Sequence, residues 1–156
     1  MPLEIERKYT VTNDAWRNQA VGSHYVQGYL SLDPERTVRV RVVADQAWLT
    51  IKGVSRGSVR SEYEYSIPAD HAVELLGMCL PPLIEKTRYC VMHAGLTWEV
   101  DEFSGENTGL VIAEIELDSA EQMPELPDWV GIEVTDDVRY YNASLVRHPY
   151  RLWREA

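Results

Sequence analysis

The chain has 156 residues, 45% of them hydrophobic, which is the composition of one globular domain with a sizeable core and excludes a disordered segment. Lys and Arg number 15 against 25 Asp and Glu, and the net charge of -10 argues against a generic nucleic-acid-binding surface. Charge begins at Glu4 and no apolar run approaches the roughly 20 residues of a spanning helix, so neither a secretory signal nor a membrane span is expected.

The first segment, Leu3–Val11, alternates Glu4, Glu6 and Lys8 with Leu3, Ile5 and Arg7, the period of a strand with two carboxylates and an ammonium on one face. Thr12–Ala20 is expected to be a helix capped by Thr12 or Asn13. Strands follow at His24–Leu32, Thr37–Ala44, Ala47–Gly53 and Val59–Ile67, joined by short turn-like stretches that suit antiparallel neighbours. A helix is expected over Pro68–Met78, then strands at Leu83–His93, Leu96–Phe103 and Gly109–Asp118. Glu121–Trp129, with two prolines, reads as an irregular loop, and Asp137–Arg147 as a final helix. The fold class is α+β, mainly β, and so many consecutive strands suggest a barrel or a sandwich in a single domain over 1–156.

The strand period recurs in charge. Arg39 and Arg41 share a face, as do Glu62 and Glu64, Lys86 and Arg88, and Glu114 and Glu116, while Trp48, Thr50 and Lys52 share another. Same-sign neighbours on a strand face are a penalty on an open sheet, so their recurrence around a barrel points to an interior lined by charge. Buried unpaired ions cost several kilocalories per mole each, so such an interior must hold water, metal and ligand. Arg forks suit phosphate oxygens, and carboxylates without His or Cys select magnesium or manganese over zinc. Cations and carboxylates together imply a metal-bridged polyphosphate.

The charge is also divided along the chain. Between Tyr89 and Val138 there is no Lys or Arg but there are 13 acids, whereas Met1–Arg88 holds 11 bases and 11 acids, so folding can set a basic wall against an acidic one. Cys79 and Cys90 lie in apolar surroundings and read as reduced structural thiols of a cytoplasmic protein. The four histidines fall in no motif of a nucleophile or metal ligand.

The Glu4-x-Glu6-x-Lys8 opening, followed in order by Arg39/Arg41, Lys52, Lys86/Arg88 and Glu114/Glu116, resembles the CYTH domains, the triphosphate tunnel metalloenzymes. Val134-Thr135, Arg139-Tyr140-Tyr141-Asn142 and Leu145 resemble the family's C-terminal helix region. The resemblance implies a closed eight-stranded antiparallel β-barrel with a few flanking helices, forming a tunnel. It implies that Glu4, Glu6 and Glu116 hold a metal, Mg2+ or Mn2+, and that Lys8, Arg39, Arg41, Lys52, Lys86 and Arg88 grip the phosphate chain. Glu62, Glu64, Asp101 and Glu114 would serve a second metal or its water. By simple alternation Asp101 shares a face with Glu99, and a bulge in that strand is the alternative.

Family members differ in what hangs from the triphosphate. A short chain without an element for reading a base favours inorganic tripolyphosphate, and Tyr29 resembles a tyrosine found with a strand lysine, here Lys52, in short bacterial tripolyphosphatases. The expected reaction is metal-dependent hydrolysis to pyrophosphate and phosphate, with the attacking water oriented by Glu64 or Glu114. The alternatives are a class IV adenylate cyclase, a thiamine or nucleoside triphosphatase, and a non-catalytic polyphosphate-binding module. The expected partner is a small-molecule triphosphate, without nucleic acid or membrane, and a homodimer is left open. Arg151–Arg154 either closes a tunnel mouth, joins a subunit contact, or is an amphipathic tail.

Overall fold

A computed structural model describes residues 2–153; Arg154, the end of the terminal segment singled out above, lies outside the described residues. The strands are β1 (Leu3–Val11), β2 (Ser23–Ser31), β3 (Thr37–Val43), β4 (Gln46–Lys52), β5 (Val59–Ile67), β6 (Leu80–His93), β7 (Leu96–Phe103), β8 (Val111–Glu116) and β9 (Val130–Glu133), with helices α1 (Ala69–Met78) and α2 (Asn142–Arg147). Neighbours run in the order β5-β4-β3-β2-β6-β7-β8-β1-β9, and pairing of β5 with β1 closes the first eight into a barrel. Every pairing is antiparallel. Tight turns make this possible: between β6 and β7, Ala94 and Gly95 both have positive φ, 50° and 79°, which matches the right-handed twist of the strands they join.

Because the inward faces carry charge, apolar side chains pack mainly outside the barrel. Tyr9, Val91, Trp98, Val100, Ala113 and Ile115 form one outer cluster, covered by Trp16 and Trp129 from the connecting segments. Val40 and Ala47 form another, covered by Ala72 and Cys79 of α1 and its end. A third cluster joins Tyr29, Ile84, Phe103 and Ile112 of the barrel to Leu145 and Val146 of α2. Ile84, Phe103 and Ile112 continue the inward faces of Lys86, Asp101 and Glu114, so the lining changes from charged to apolar toward α2, which plugs that end.

Several expectations are corrected. The Thr12–Ala20 helix is reduced to a 3-10 turn at Arg17–Gln19. Asn13 Oδ1 accepts the Ala15 backbone N–H, a local bond that competes with helix formation, and Trp16 is drawn fully into the core. The Asp137–Arg147 helix is split into a 3-10 turn, Val138–Tyr140, and α2, because Tyr141 is extended and its hydroxyl donates to the Thr135 carbonyl. β6 starts at Leu80, through Pro81-Pro82 at the edge of its pairing with β2, and β9 was not anticipated. β7 keeps an unbroken register with both neighbours, so it carries no bulge; the register shifts lie in the pairings of β1 with β9 and of β2 with β3 and β6. No helix among the described residues is long and apolar enough to cross a membrane.

Candidate active site

The barrel encloses a cavity of about 800 Å³, into which Glu4, Glu6 and Lys8 of β1 project with Arg39 and Arg41 of β3 and Lys86 and Arg88 of β6. Lys52, Glu62, Glu64, Glu114, Glu116 and Tyr29 also line it. Strand register sets these side chains in rows. Tyr29, Arg39, Thr50 and Glu64 lie opposite one another across four adjacent strands. Glu99, Glu114 and Lys8 form a second row, and Glu116 faces Glu6 beside it. Tyr29 and Lys52 belong to different rows on strands separated by β3, and no hydrogen bond joins them among the described residues.

In the acidic half, Lys8 Nζ lies 3.1 Å from Glu6 Oε1 and also bonds Glu114, while Lys52 Nζ lies 2.9 Å from Glu4 and 3.5 Å from Glu62. Two lysines do not satisfy this many carboxylates. Burial, then the Glu114 charge, pushes the Glu6 carboxyl up to about 8 despite Lys8. Burial and Glu4 likewise raise Glu62 and Glu116. Glu4 and Glu114 are held below the ordinary carboxylate value against their own burial, Glu4 by Lys52 and Glu114 by Lys8, Lys86 and Arg88.

The basic half carries the opposite strain. Burial lowers Arg41 to about 10, helped by Arg39 and Arg88, and burial lowers Lys86 to about 7, helped by Arg88 and Arg41 against Asp101. Arg39 Nε is buried without a partner among the described residues, and Arg41 has no carboxylate within ion-pair distance there. Asp101 stands apart from the other carboxylates. It is 0% exposed, off the cavity lining, 2.7 Å from Lys86 and held by two Arg88 bonds of 2.8 and 2.9 Å.

Each half thus lacks what the other kind of ligand supplies. An orphaned guanidinium N–H and crowded cations fit an oxyanion, and buried carboxylates raised by one another fit a hard divalent cation. Among the described residues no three carboxylates are already gathered as a metal centre, because Lys8 and Lys52 hold them.

Charge pairs in the sequence did not disclose the neutral groups that hold the charged lining in place. Tyr25 has the guanidinium groups of Arg41 and Arg88 each 4.9 Å from its ring centroid, and Gln27 accepts from Arg41 Nε at 2.9 Å. Both precede Tyr29 at the two-residue period of β2, which is the signal that could have found them. Thr135 and Tyr141, which also line the cavity, secure Lys8: Thr135 Oγ1 accepts the Lys8 backbone N–H at 3.1 Å, and the Tyr141 ring centroid lies 5.9 Å from Lys8 Nζ.

A closed antiparallel barrel whose tunnel opposes cations and carboxylates defines a site for a polyanion together with a divalent cation. The chain belongs to the CYTH domain family, whose model matches residues 2–150. It is 51% identical to an inorganic triphosphatase of Acetivibrio thermocellus over 156 residues, 99% of this chain and 100% of the relative. It is 34% identical to an inorganic triphosphatase of Nitrosomonas europaea over 147 residues, 91% of this chain and 95% of the relative. The crystal structure of the inorganic triphosphatase NE1496 matches with a TM-score of 0.65 and 30% identity, covering 97% of this chain and 99% of that one. Membership in this family of tunnel metalloenzymes brings with it a divalent metal cofactor.

Proposed function

We propose that this protein hydrolyses inorganic tripolyphosphate to pyrophosphate and phosphate inside the tunnel, with Mg2+ or Mn2+ as its metal. The observation that carries the reading is the pair of opposed electrostatic strains in one cavity: Arg41 and Lys86 held down in pKa at one side, Glu6, Glu62 and Glu116 held up at the other. The names of the two relatives support the substrate.

Lys8, Arg39, Arg41, Lys52, Lys86 and Arg88 grip the phosphate chain, and Arg39 Nε, without a partner among the described residues, is a ready donor to it. Glu4, Glu6 and Glu116 would hold one metal and Glu62, Glu64 and Glu114 a second, and a divalent ion bound there neutralises phosphate charge and acidifies water. Water attacks the terminal phosphorus as its bond to the pyrophosphate oxygen breaks. Glu64 orients that water, because its side chain lines the cavity and is 42% exposed whereas Glu114 is held ionised by Lys8, Lys86 and Arg88 and is a weak base. The basic wall stabilises charge spread over the reacting phosphoryl group, so positioning and electrostatics supply most of the rate. Tyr29 and Lys52 act at the reacting end, and Asp101 anchors Lys86 and Arg88 and binds no metal. Free thiols at Cys79 and Cys90 suit a cytoplasmic enzyme.

The test is a comparison of kcat/KM for tripolyphosphate, ATP, thiamine triphosphate and pyrophosphate with each metal, together with an assay for cyclic AMP. Preference for tripolyphosphate supports the reading. Preference for an organic triphosphate, or cyclic AMP from ATP, overturns the substrate assignment.

A further inference from the structure

Gln27 is 0% exposed, does not line the cavity, and sits between two groups that do. Its Oε1 accepts from Arg41 Nε at 2.9 Å, and its Nε2 donates to Asn142 Oδ1 at 3.0 Å. The same Asn142 oxygen accepts from Lys86 Nζ at 2.9 Å. Arg, and Lys as the ammonium ion paired with Asp101, can only donate, so the two cations at the ends of this chain fix which way both amides point. Reversing either amide would set donor against donor. The result is a directional clasp, Arg41 to Gln27 to Asn142 to Lys86, that links β3, β2, α2 and β6.

We infer that Gln27 and Asn142 are positioning residues for the phosphate chain, holding the Arg41 guanidinium and the Lys86 ammonium at a fixed separation and orientation. The inference rests on the triphosphatase reading of the tunnel. Without the clasp, Lys86 keeps Asp101 at 2.7 Å as its remaining close acceptor and pivots toward it, away from ligand. Arg41, which has no carboxylate partner among the described residues, loses the acceptor that orients its Nε edge. Long basic side chains left unrestrained must be ordered by the substrate itself, and that entropy subtracts from binding. The clasp also makes α2 part of the site: the helix whose Leu145 and Val146 plug the barrel presents Asn142, its first residue, to Lys86.

Gln27→Met keeps the length and approximate volume of the side chain but removes both hydrogen bonds, and Asn142→Ala removes the shared acceptor. The two variants and their combination are compared with the wild type for tripolyphosphate turnover with Mg2+, for tripolyphosphate affinity by calorimetry in chelator, and for melting temperature, each value taken per folded molecule. Each single variant is expected to lower kcat/KM by about tenfold to a hundredfold, the scale of a small misplacement of binding groups. Each is also expected to weaken metal-free affinity, and the double variant to lose less than the product of the two single losses, because both break one unit. Wild-type turnover and affinity in folded Gln27→Met, or losses that multiply independently, would overturn the inference. If Asn142→Ala does not fold, Gln27→Met alone decides through affinity and turnover. Wild-type protein that binds tripolyphosphate without hydrolysing it would remove the triphosphatase reading and leave the affinity comparison to decide, whereas neither binding nor turnover would remove both.

Discussion

Glu6 and Glu116 face each other in register across β1 and β8, two carboxylates on directly opposed positions inside the barrel. Like charges so placed destabilise a sheet unless a cation lies between them. Lys8 relieves Glu6 from one side at 3.1 Å, yet burial and Glu114 still hold the Glu6 carboxyl up near 8, from an ordinary value of 4.5.

The folded protein therefore binds the Glu6 proton more tightly than the unfolded chain does. That contribution to stability is fully present below the unfolded value of 4.5 and is lost as pH rises through about 8. Metal-free protein is expected to lose melting temperature between about pH 5 and about pH 8 more steeply than Glu6→Gln. Saturating Mg2+ or Mn2+ should flatten the wild-type profile by stabilising the ionised form. Parallel profiles for wild type and variant in chelator would show that Glu6 does not carry the strain.

Lys52 bridges Glu4 at 2.9 Å and Glu62 at 3.5 Å while lining the cavity, so its loss alters the charge balance of the site more than the packing of the barrel. Lys52→Ala is expected to fold, with kcat for tripolyphosphate reduced about 10²–10³-fold, the usual cost of removing one preorganised electrostatic donor. Calorimetric melting alongside steady-state kinetics checks this. Unfolding with undiminished activity in the folded fraction would make Lys52 a structural residue.

Asp101 is the counter-charge for Lys86 and Arg88, buried with them at 0%, 1% and 8% exposure. Asp101→Ala leaves two buried cations without it, a change that costs about 3–5 kcal/mol by the usual measure of a broken buried pair. Urea unfolding of metal-free protein checks the loss. Tripolyphosphate should raise the variant's midpoint more than the wild type's, since the anion replaces the missing charge; equal shifts would contradict Asp101's role as anchor.

The charged half of this site was legible because strands alternate: Glu4, Glu6 and Lys8, or Lys86 and Arg88, could be assigned to one face from spacing alone, and the barrel places them on one cavity. The apolar plug was not, since Ile84, Phe103 and Ile112 obey the same alternation yet read as ordinary core until α2 is seen to cap them. Gln27 and Asn142 carry no charge and lie 115 residues apart, so nothing local joins them. β9, four residues including Gly131, is too short for a periodic signal and is held by pairing with β1. The Thr12–Ala20 segment has helix-start residues, but a local Asn13 bond and the burial of Trp16 outweigh propensity.

The proposed reaction is cleavage of tripolyphosphate in this tunnel with a divalent metal required. It is tested most directly by following tripolyphosphate with 31P NMR in the presence of the protein, first with Mg2+ or Mn2+ and then with chelator. Equal amounts of pyrophosphate and phosphate are expected, formed only with metal. Tripolyphosphate left intact with metal, or cleaved at the same rate in chelator, would contradict it.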